Sequence, residues 1–391
     1  MMRKVGMEAS FAIAEAVKLA DADVVAAYPI TPQTHIVERL AELVANGELD
    51  ADYMPVESEH SAMSACLGAS AVGARTFTAT AGQGLELMHE VLYVASSLRL
   101  PIVMTVANRA LSGPLNVWGD HSDAMATRDC GWIQMFAENA QQVFDLVLCA
   151  FRIAEDQAVL FPTMVHIDGF HASHVIEPLS LLEPEVVNKF LPKYQPPYAL
   201  NPDKPLTMGA FAAPDLYTET KKPQDVALRA SKEVIIQVWR EFGELTGRHY
   251  SPVETHRADD AEALLLTMGS FGETATVAVD NLRNKGQKIG LVKLRLWRPF
   301  PFDEFREVAT RVKLLIVLDR ALSFGGPSGP VCSELQAALY PLEVRPKIIS
   351  FVGGLGGRDI SVEAFENMIN RGLDRAERKE FGEFEMIEVR E

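Results

Sequence analysis

The chain has 391 residues, of which 48% are hydrophobic and 23% charged, and its formal net charge is −16. This length predicts two or three domains, and this composition is typical of a globular protein. A surface so acidic repels phosphate backbones and anionic lipids, so we expect neither nucleic acid nor a membrane as a partner.

No apolar run approaches the ~18 residues that span a bilayer. The N-terminal Met1-Met2-Arg3-Lys4 resembles the start of a signal peptide, but Glu8, Glu15 and Lys18 interrupt the apolar stretch that should follow. We therefore expect a cytoplasmic protein.

The cysteines are too far apart to form a metal-binding pair. No C-x-x-C motif occurs, so iron–sulfur and structural zinc sites lack their usual ligand spacing. We expect four buried, reduced thiols. They are Cys66, Cys130, Cys149 and Cys332.

Residues 1–177 alternate short β-branched runs with helical patterns. Such alternation predicts an α/β domain with a parallel sheet between helices. The predicted helices are 7–20, 34–45, 60–72 and 84–98, and the predicted strands are 24–28, 53–56, 75–80 and 101–107.

Nine prolines fall between Pro178 and Pro223, where an average usage of about 5% would give two. This density predicts an ordered arm without helix or central strand, followed by a helix over 224–246 that ends at Gly247. We assign 178–255 to this arm and connecting helix. The predicted buried face of the helix is Val234, Ile235, Val238, Trp239 and Phe242.

Residues 256–391 return to the alternation of strands and helices. They predict a second, smaller α/β domain. Its predicted strands are 262–267, 288–294, 313–318 and 347–351.

Polar residues follow four of the predicted strands in the first domain. In open parallel sheets, ligands bind at the carboxyl ends of the strands, so these residues should share one edge of the sheet. We expect a carboxylate, a cation and a helix N-terminus there. The residues are Thr31, Glu57, Glu59, Thr80, Gly82, Gly84 and Arg109.

Each candidate also has a purely structural interpretation. Thr31 precedes Pro32, which is typical of a helix N-cap with proline at the first helical position. Glu59 fits a solvated acid near a helix N-terminus. Arg109 fits either a solvated arginine or a buried one whose planar fork binds a substrate carboxylate.

Other patterns are weaker. The segments Gly82-Gln83-Gly84 and Gly269-Ser270-Phe271-Gly272 resemble phosphate loops but complete no nucleotide-binding motif. The set Asp168, His171 and His174 fits no common metal site. We therefore expect no metal site and no dinucleotide site on this chain.

Four motifs in order resemble the α subunit of the pyruvate (2-oxoacid):ferredoxin oxidoreductase family. They are Tyr28-Pro29-Ile30-Thr31-Pro32, Glu57-Ser58-Glu59-His60, Ala107-Asn108-Arg109 and Asp120-His121-Ser122-Asp123. The resemblance continues through 297–301 and 353–359. It implies a parallel-sheet thiamine-diphosphate pyrimidine-type domain followed by a transketolase C-terminal-like α/β domain.

The resemblance also implies roles for individual residues. Glu59 would bond the aminopyrimidine of thiamine diphosphate, and Arg109 would hold the carboxylate of a 2-oxoacid, with Thr31 beside it. A carboxylate in a dry site suits proton sharing with the ring nitrogen. The further implied cofactor contacts are Tyr28, Pro29, Ile30 and Gly82.

The chain lacks the Gly-Asp-Gly motif with which such enzymes hold magnesium and diphosphate, and Gly119-Asp120-His121 is no substitute. The resemblance therefore implies a partner β subunit that binds the diphosphate and Mg²⁺. It also implies γ and iron–sulfur δ-type subunits with [4Fe-4S] clusters, CoA as co-substrate, and ferredoxin or an NAD-linked acceptor.

We expect pyruvate as the substrate, because a dicarboxylate would favour a second cation where Thr31 stands. An aryl 2-oxoacid such as phenylglyoxylate, with NAD as final acceptor, is an alternative, and so is a branched 2-oxoacid. Two interpretations of another class are a non-catalytic scaffold subunit, since fold does not fix function, and a stand-alone binder of small molecules.

Overall fold

The computed structural model describes residues 2–390. In its N-terminal part, short strands alternate with helices, as predicted. The strands are β1 (Met2–Glu8), β2 (Val24–Ala27), β3 (Asp52–Pro55), β4 (Thr76–Thr80), β5 (Val103–Asn108), β6 (Ile133–Phe136), β7 (Thr163–Asp168) and β8 (Ile176–Leu182). The helices are α1 (Ala9–Leu19), α2 (Thr34–Ala45), α3 (Glu59–Ala71), α4 (Gln83–Leu87), α5 (His89–Ser97), α6 (Ser122–Ala126), α7 (Ala140–Ala154), α8 (Pro184–Phe190) and α9 (Pro214–Thr246).

The C-terminal part repeats the alternation. Its strands are β9 (Val253–His256), β10 (Ala263–Thr267), β11 (Ile289–Leu294), β12 (Leu296–Arg298), β13 (Leu314–Asp319), β14 (Lys347–Val352) and β15 (Glu385–Met386). Its helices are α10 (Phe271–Asn284), α11 (Phe302–Ala309), α12 (Pro330–Leu339) and α13 (Val362–Arg378). The four strands predicted for this part are confirmed as β10, β11, β13 and β14.

A seven-stranded sheet has the strand order β12-β6-β7-β5-β4-β2-β3. Its strands run parallel except β12. The four strands that precede the candidate residues are β2, β3, β4 and β5, and they are adjacent in this sheet. Their carboxyl ends therefore share one edge, as predicted. We call it the catalytic edge because the candidate catalytic residues follow these strands.

Strand β12 comes from the C-terminal part of the chain but completes the first sheet. It pairs antiparallel with β6, with Leu296 opposite Met135 and Arg298 opposite Gln134. The Trp297 side chain is fully buried. The two parts of the chain are thus joined by backbone hydrogen bonds as well as by packing.

The second sheet has six strands in the order β15-β14-β13-β10-β11-β9. It is parallel except for β9, which pairs antiparallel with β11. Helices α10 and α13 cover one face, where Leu265, Ile316 and Phe365 are fully buried. The apolar runs 263–266 in β10 and 314–318 in β13 fit a sheet that is buried on both faces.

The proline-rich segment differs from its prediction. Within 178–223 the chain forms most of β8, all of α8 and the first turns of α9. Strand β8 pairs with β1, which the sequence did not predict. The prediction failed because Pro184 and Pro214 lie in the first turn of their helices, where a missing N–H costs little. Pro223 lies within the exposed half of α9.

The C-terminal half of α9 packs as predicted at four of the five positions. Ile235, Val238, Trp239 and Phe242 are buried, whereas Val234 is half-buried. Gly247 has a left-handed backbone, and its N–H donates to the Gly243 carbonyl at 2.8 Å, so the predicted C-cap is confirmed. The predicted helix over 84–98 is instead two helices, α4 and α5, which meet at Met88.

All four cysteines are buried and free. Burial raises the pKa of Cys66 and Cys130 to about 12 and that of Cys332 to about 11. The prediction of buried reduced thiols is therefore confirmed. Within residues 2–390, no helix has the length and apolarity needed to cross a membrane.

A buried carboxylate joins the two parts of the chain at the end of β7. Asp168 accepts hydrogen bonds from the Ser270 N–H at 2.7 Å and from His121 Nε2 at 2.9 Å, and Arg320 Nη1 lies 2.5 Å away. Burial favours the neutral acid, but Arg320 and His121 hold the pKa of Asp168 well below its usual value. Ser270 belongs to the segment 269–272, which resembles a phosphate loop in sequence. In the structure, this segment makes a contact between the two parts of the chain.

Candidate active site

The loop after β2 carries the first candidate residues to the catalytic edge. Gln33 is fully buried, and its amide donates to the Ala79 carbonyl at 2.7 Å and accepts from the Ile30 N–H at 3.2 Å. These bonds tie the loop to β4. Gln33 was not predicted as a site residue, although a polar residue beside a predicted helix start is a recognisable signal.

The prediction that Thr31 caps a helix with Pro32 in its first turn was wrong. Helix α2 begins at Thr34, because the Gln33 N–H bonds to the Ile30 carbonyl at 2.7 Å and closes a turn before the helix. Thr31 is exposed, and its carbonyl oxygen accepts from Arg109 Nη1 at 3.1 Å. Tyr28 and Pro29 are also exposed at this edge.

Glu59 is the buried acid of the catalytic edge. It is the first residue of α3, and Ser58 caps that helix by accepting from the Ser61 N–H at 3.2 Å. Only 5% of Glu59 is exposed, and burial raises the pKa of its carboxyl group. Glu57 is different, because it is solvated, and a hydrogen bond from the Ser61 hydroxyl lowers its pKa.

Because Gly84 has no side chain, the Glu59 carboxylate can lie close to its backbone. A Cβ atom on Gly84 would lie 2.6 Å from Glu59 Oε1 and 2.5 Å from Thr80 Oγ1. The Thr80 hydroxyl is buried and has no hydrogen-bond partner within residues 2–390. A polar group of a ligand placed beside Glu59 would supply that partner.

We predict that Gly84→Ala lowers the turnover of the assembled enzyme roughly 10- to 100-fold, because the added methyl group displaces the Glu59 carboxylate. Steady-state kinetics would measure this effect. Gly68→Ala is a matched control, since Gly68 lies in α3 with open space around its Cβ position. Equal activity of the two variants would show that the Glu59 position is not critical.

Arg109 is the cation of the catalytic edge. It is 7% exposed, and burial lowers the pKa of its guanidinium group. Nε donates to the Asn116 carbonyl at 2.8 Å and Nη1 to the Thr31 carbonyl. Gly82, with φ of +48°, packs against its aliphatic part, with 3.0 Å from an added Cβ to Cδ. Among residues 2–390, Nη2 has no hydrogen-bond partner, so one corner of the fork is free for a ligand.

Asp123 connects the loops after β4 and β5. Its carboxylate accepts from the Gly82 N–H at 3.0 Å, the Arg109 N–H at 2.9 Å and Asn108 Nδ2 at 2.8 Å. Burial raises the pKa of Asp123 to about 7, although these donors favour the ionised form. Asp123 was recognised in the sequence only as part of the motif Asp120-His121-Ser122-Asp123, and no role was predicted for it.

The catalytic edge is open and partly apolar. Tyr28 is 37% exposed, Leu87 51%, Leu115 77% and Trp118 52%. Exposed apolar side chains around a polar site are typical of a protein interface. No group of three or more His, Cys, Asp or Glu side chains in the described chain is placed to hold a metal ion.

Comparison with protein families gives two consecutive matches. Residues 15–240 match the thiamine-diphosphate-binding family of pyruvate flavodoxin/ferredoxin oxidoreductases. The chain belongs to this family. Residues 261–365 match core domain II of pyruvate:ferredoxin oxidoreductase. The resemblance inferred from the four motifs is thereby confirmed, and so is the predicted α/β fold with a thiamine-diphosphate-binding domain and a smaller second domain.

Individual relatives cover almost the whole chain. Pyruvate synthase subunit PorA of Methanocaldococcus jannaschii is 48% identical over 369 residues, which are 94% of this chain and 94% of the relative. Ketoisovalerate oxidoreductase subunit VorA of Pyrococcus horikoshii is 48% identical over 355 residues, which are 90% of this chain and 89% of the relative. This chain is therefore the α subunit of a 2-oxoacid:ferredoxin oxidoreductase.

A solved structure shares the fold. The 2-oxoglutarate:ferredoxin oxidoreductase from Magnetococcus marinus, with 2-oxoglutarate, coenzyme A and succinyl-CoA bound, superimposes with a TM-score of 0.71 at 19% identity. The match covers 95% of this chain and 65% of the other. The two chains thus share this fold at low sequence identity.

Proposed function

We propose that this subunit acts in the CoA-dependent oxidative decarboxylation of pyruvate to acetyl-CoA, with electrons passed to ferredoxin. The observation that carries the proposal is the pair of Glu59 and Arg109 at one open edge. Each packs against a glycine at the start of α4, Glu59 against Gly84 and Arg109 against Gly82. A proton-holding acid and a carboxylate-binding cation are two of the groups that this reaction needs.

The residues present fit the aminopyrimidine end of thiamine diphosphate. When bound, this cofactor supplies the electron sink for decarboxylation. Glu59 would hold a proton at a ring nitrogen, and its raised pKa and its burial beside Gly84 suit that task. The unpartnered Thr80 hydroxyl offers a second polar contact. Tyr28, Pro29, Ile30 and Gly82 are the other proposed cofactor contacts.

Arg109 would bind the carboxylate of the 2-oxoacid, with Thr31 beside it. Bonds to Asn116 and Thr31 fix the guanidinium plane before a substrate arrives, so little side-chain freedom is lost on binding. The low exposure of Arg109 strengthens its attraction for an anion. A monocarboxylate such as pyruvate needs only this one cation.

We predict that Arg109→Ala lowers kcat/KM for the 2-oxoacid roughly 10- to 100-fold, the effect of losing a charge-assisted hydrogen bond. The matched control is Arg229→Ala, because Arg229 is an exposed residue of α9 that pairs only with Asp225 among the described residues. Initial rates at several 2-oxoacid concentrations would measure both variants. Unchanged kcat/KM in Arg109→Ala would refute the assignment.

The remaining components of the reaction are proposed to lie on partner chains. A β subunit would bind the diphosphate and Mg²⁺ opposite the catalytic edge, and γ and δ-type subunits would carry the [4Fe-4S] clusters. The exposed Tyr28, Leu87 and Trp118 support a partner at that edge. CoA would enter as co-substrate, and ferredoxin or an NAD-linked acceptor would receive the electrons.

A branched 2-oxoacid is a second candidate substrate, because the ketoisovalerate relative is as similar as the pyruvate relative, at 48% identity each. An aryl 2-oxoacid such as phenylglyoxylate is a third. The test is to purify the complex through this chain and assay viologen reduction with CoA, with and without thiamine diphosphate. Pyruvate, 2-oxoisovalerate, phenylglyoxylate and 2-oxoglutarate would be compared. The proposal requires that pyruvate give the highest kcat/KM, and a complex inactive with all four would overturn it.

A further inference from the structure

The loop after β5 returns to contact the arginine with which it begins. The Ala110 N–H donates to the Trp118 carbonyl at 3.0 Å and closes the loop. Within it, Asn116 Oδ1 accepts from the Trp118 N–H at 2.7 Å, and the Asn116 carbonyl accepts from Arg109 Nε at 2.8 Å. The conformation of Asn116 therefore determines the position of the carbonyl oxygen that accepts the hydrogen bond from Arg109 Nε.

The same asparagine bonds to the C-terminal part of the chain. Asn116 Nδ2 donates to the Gly356 carbonyl at 3.1 Å, and the Gly356 N–H donates to Asp120 Oδ2 at 3.0 Å. Gly356 follows β14 and has a φ of +57°, and an added Cβ would lie 2.5 Å from Asn116 Nδ2. One backbone residue of the second domain thus holds both Asn116 and Asp120 of this loop.

We infer that Asn116 is a positioning residue for 2-oxoacid binding and that it acts through Arg109 while held by Gly356. The inference rests on the proposed role of Arg109. Its physical basis is the planar geometry of the guanidinium group. A fixed Nε hydrogen bond helps to set the orientation of that plane and thereby the direction in which Nη2 can donate to a ligand. The second domain thereby contributes to substrate binding without touching the substrate.

The first test is Asn116→Asp in the assembled complex. The aspartate keeps an acceptor for the Trp118 N–H but places an oxygen, not an N–H, against the Gly356 carbonyl. We expect KM for the 2-oxoacid to rise roughly 5- to 20-fold, the effect of one or two hydrogen bonds, with kcat and the KM for CoA nearly unchanged. Ser112→Ala is the control, since Ser112 is an exposed residue of the same loop.

Gly356→Ala tests the same contact from the other domain without adding a charge. The methyl group would push against Asn116 Nδ2 and strain the left-handed backbone. We expect the same rise in KM. An effect in Asn116→Asp alone would identify simple charge repulsion of the substrate and overturn the inference.

A double-mutant cycle with Arg109→Ala completes the test. If Asn116 acts through Arg109, adding Asn116→Asp to Arg109→Ala changes KM less than twofold. A full additional effect would overturn the inference even when Arg109→Ala itself behaves as proposed. A normal KM in Arg109→Ala would instead overturn the proposed function, so the two failures are distinguishable.

Discussion

Replacing Glu59 by glutamine is expected to lower turnover of the assembled complex by roughly 10²- to 10⁴-fold, the usual effect of lost acid–base assistance. Glutamine has nearly the same shape and fits the space left by Gly84, but it cannot share a proton with a ring nitrogen. The viologen assay with pyruvate and CoA would measure this loss. Binding of thiamine diphosphate, followed by calorimetry, should weaken as well.

Glu57→Gln is the matched control for this experiment. Glu57 lies two residues away but is solvated and bonded to the Ser61 hydroxyl. Its substitution should leave turnover within about twofold of the native value. Full activity in Glu59→Gln would favour a scaffold role for this chain, and a larger loss in Glu57→Gln would move the catalytic assignment to that residue.

Removing the Asp168 carboxylate is expected to cost about 3–5 kcal/mol in the free energy of unfolding, because Arg320 is left as a buried charge without its carboxylate partner. Thermal or chemical denaturation of the purified complex with Asp168→Ala would measure the loss. The pKa of Asp168 lies well below its value in an unfolded chain, ~3.9. Its contribution should therefore be complete above about pH 5 and disappear as the pH falls.

An exposed ion pair provides the comparison. Asp225 and Arg229 lie one turn apart on α9, with side chains 60% and 63% exposed. Asp225→Ala should cost less than about 1 kcal/mol. If the Asp168 and Asp225 variants lost similar stability, the interdomain ion pair would not be a major source of stability.

The alternation of apolar strands and helices was enough to predict most of the fold. Strands β2 to β5 were recognisable as short apolar runs between helical patterns, so their shared edge followed from general rules of parallel sheets. Their order within the sheet was not predicted. Strand β1 was missed because its partner, β8, lies mostly in a segment whose prolines argued against a strand. Local sequence does not reveal pairing between segments so far apart.

The candidate site was predictable where a residue lies within four residues of the end of a strand. Glu59, Gly82, Gly84 and Arg109 meet this condition, and the structure brings them together. Gln33, Asp123 and Asn116 were missed because their roles depend on bonds to backbone groups of other loops. Such bonds become visible only in three dimensions.

The participation of β12 in the first sheet has a consequence during synthesis on the ribosome. Strand β6 emerges roughly 160 residues before its partner at 296–298. At translation rates of about 5–20 residues per second, its edge stays unpaired for on the order of ten seconds or more. The unpaired edge presents backbone N–H and C=O groups beside apolar side chains such as Ile133 and Phe136, and it could recruit another nascent strand. A chaperone that shields extended apolar segments would thus serve this chain most while residues 137–298 are being made.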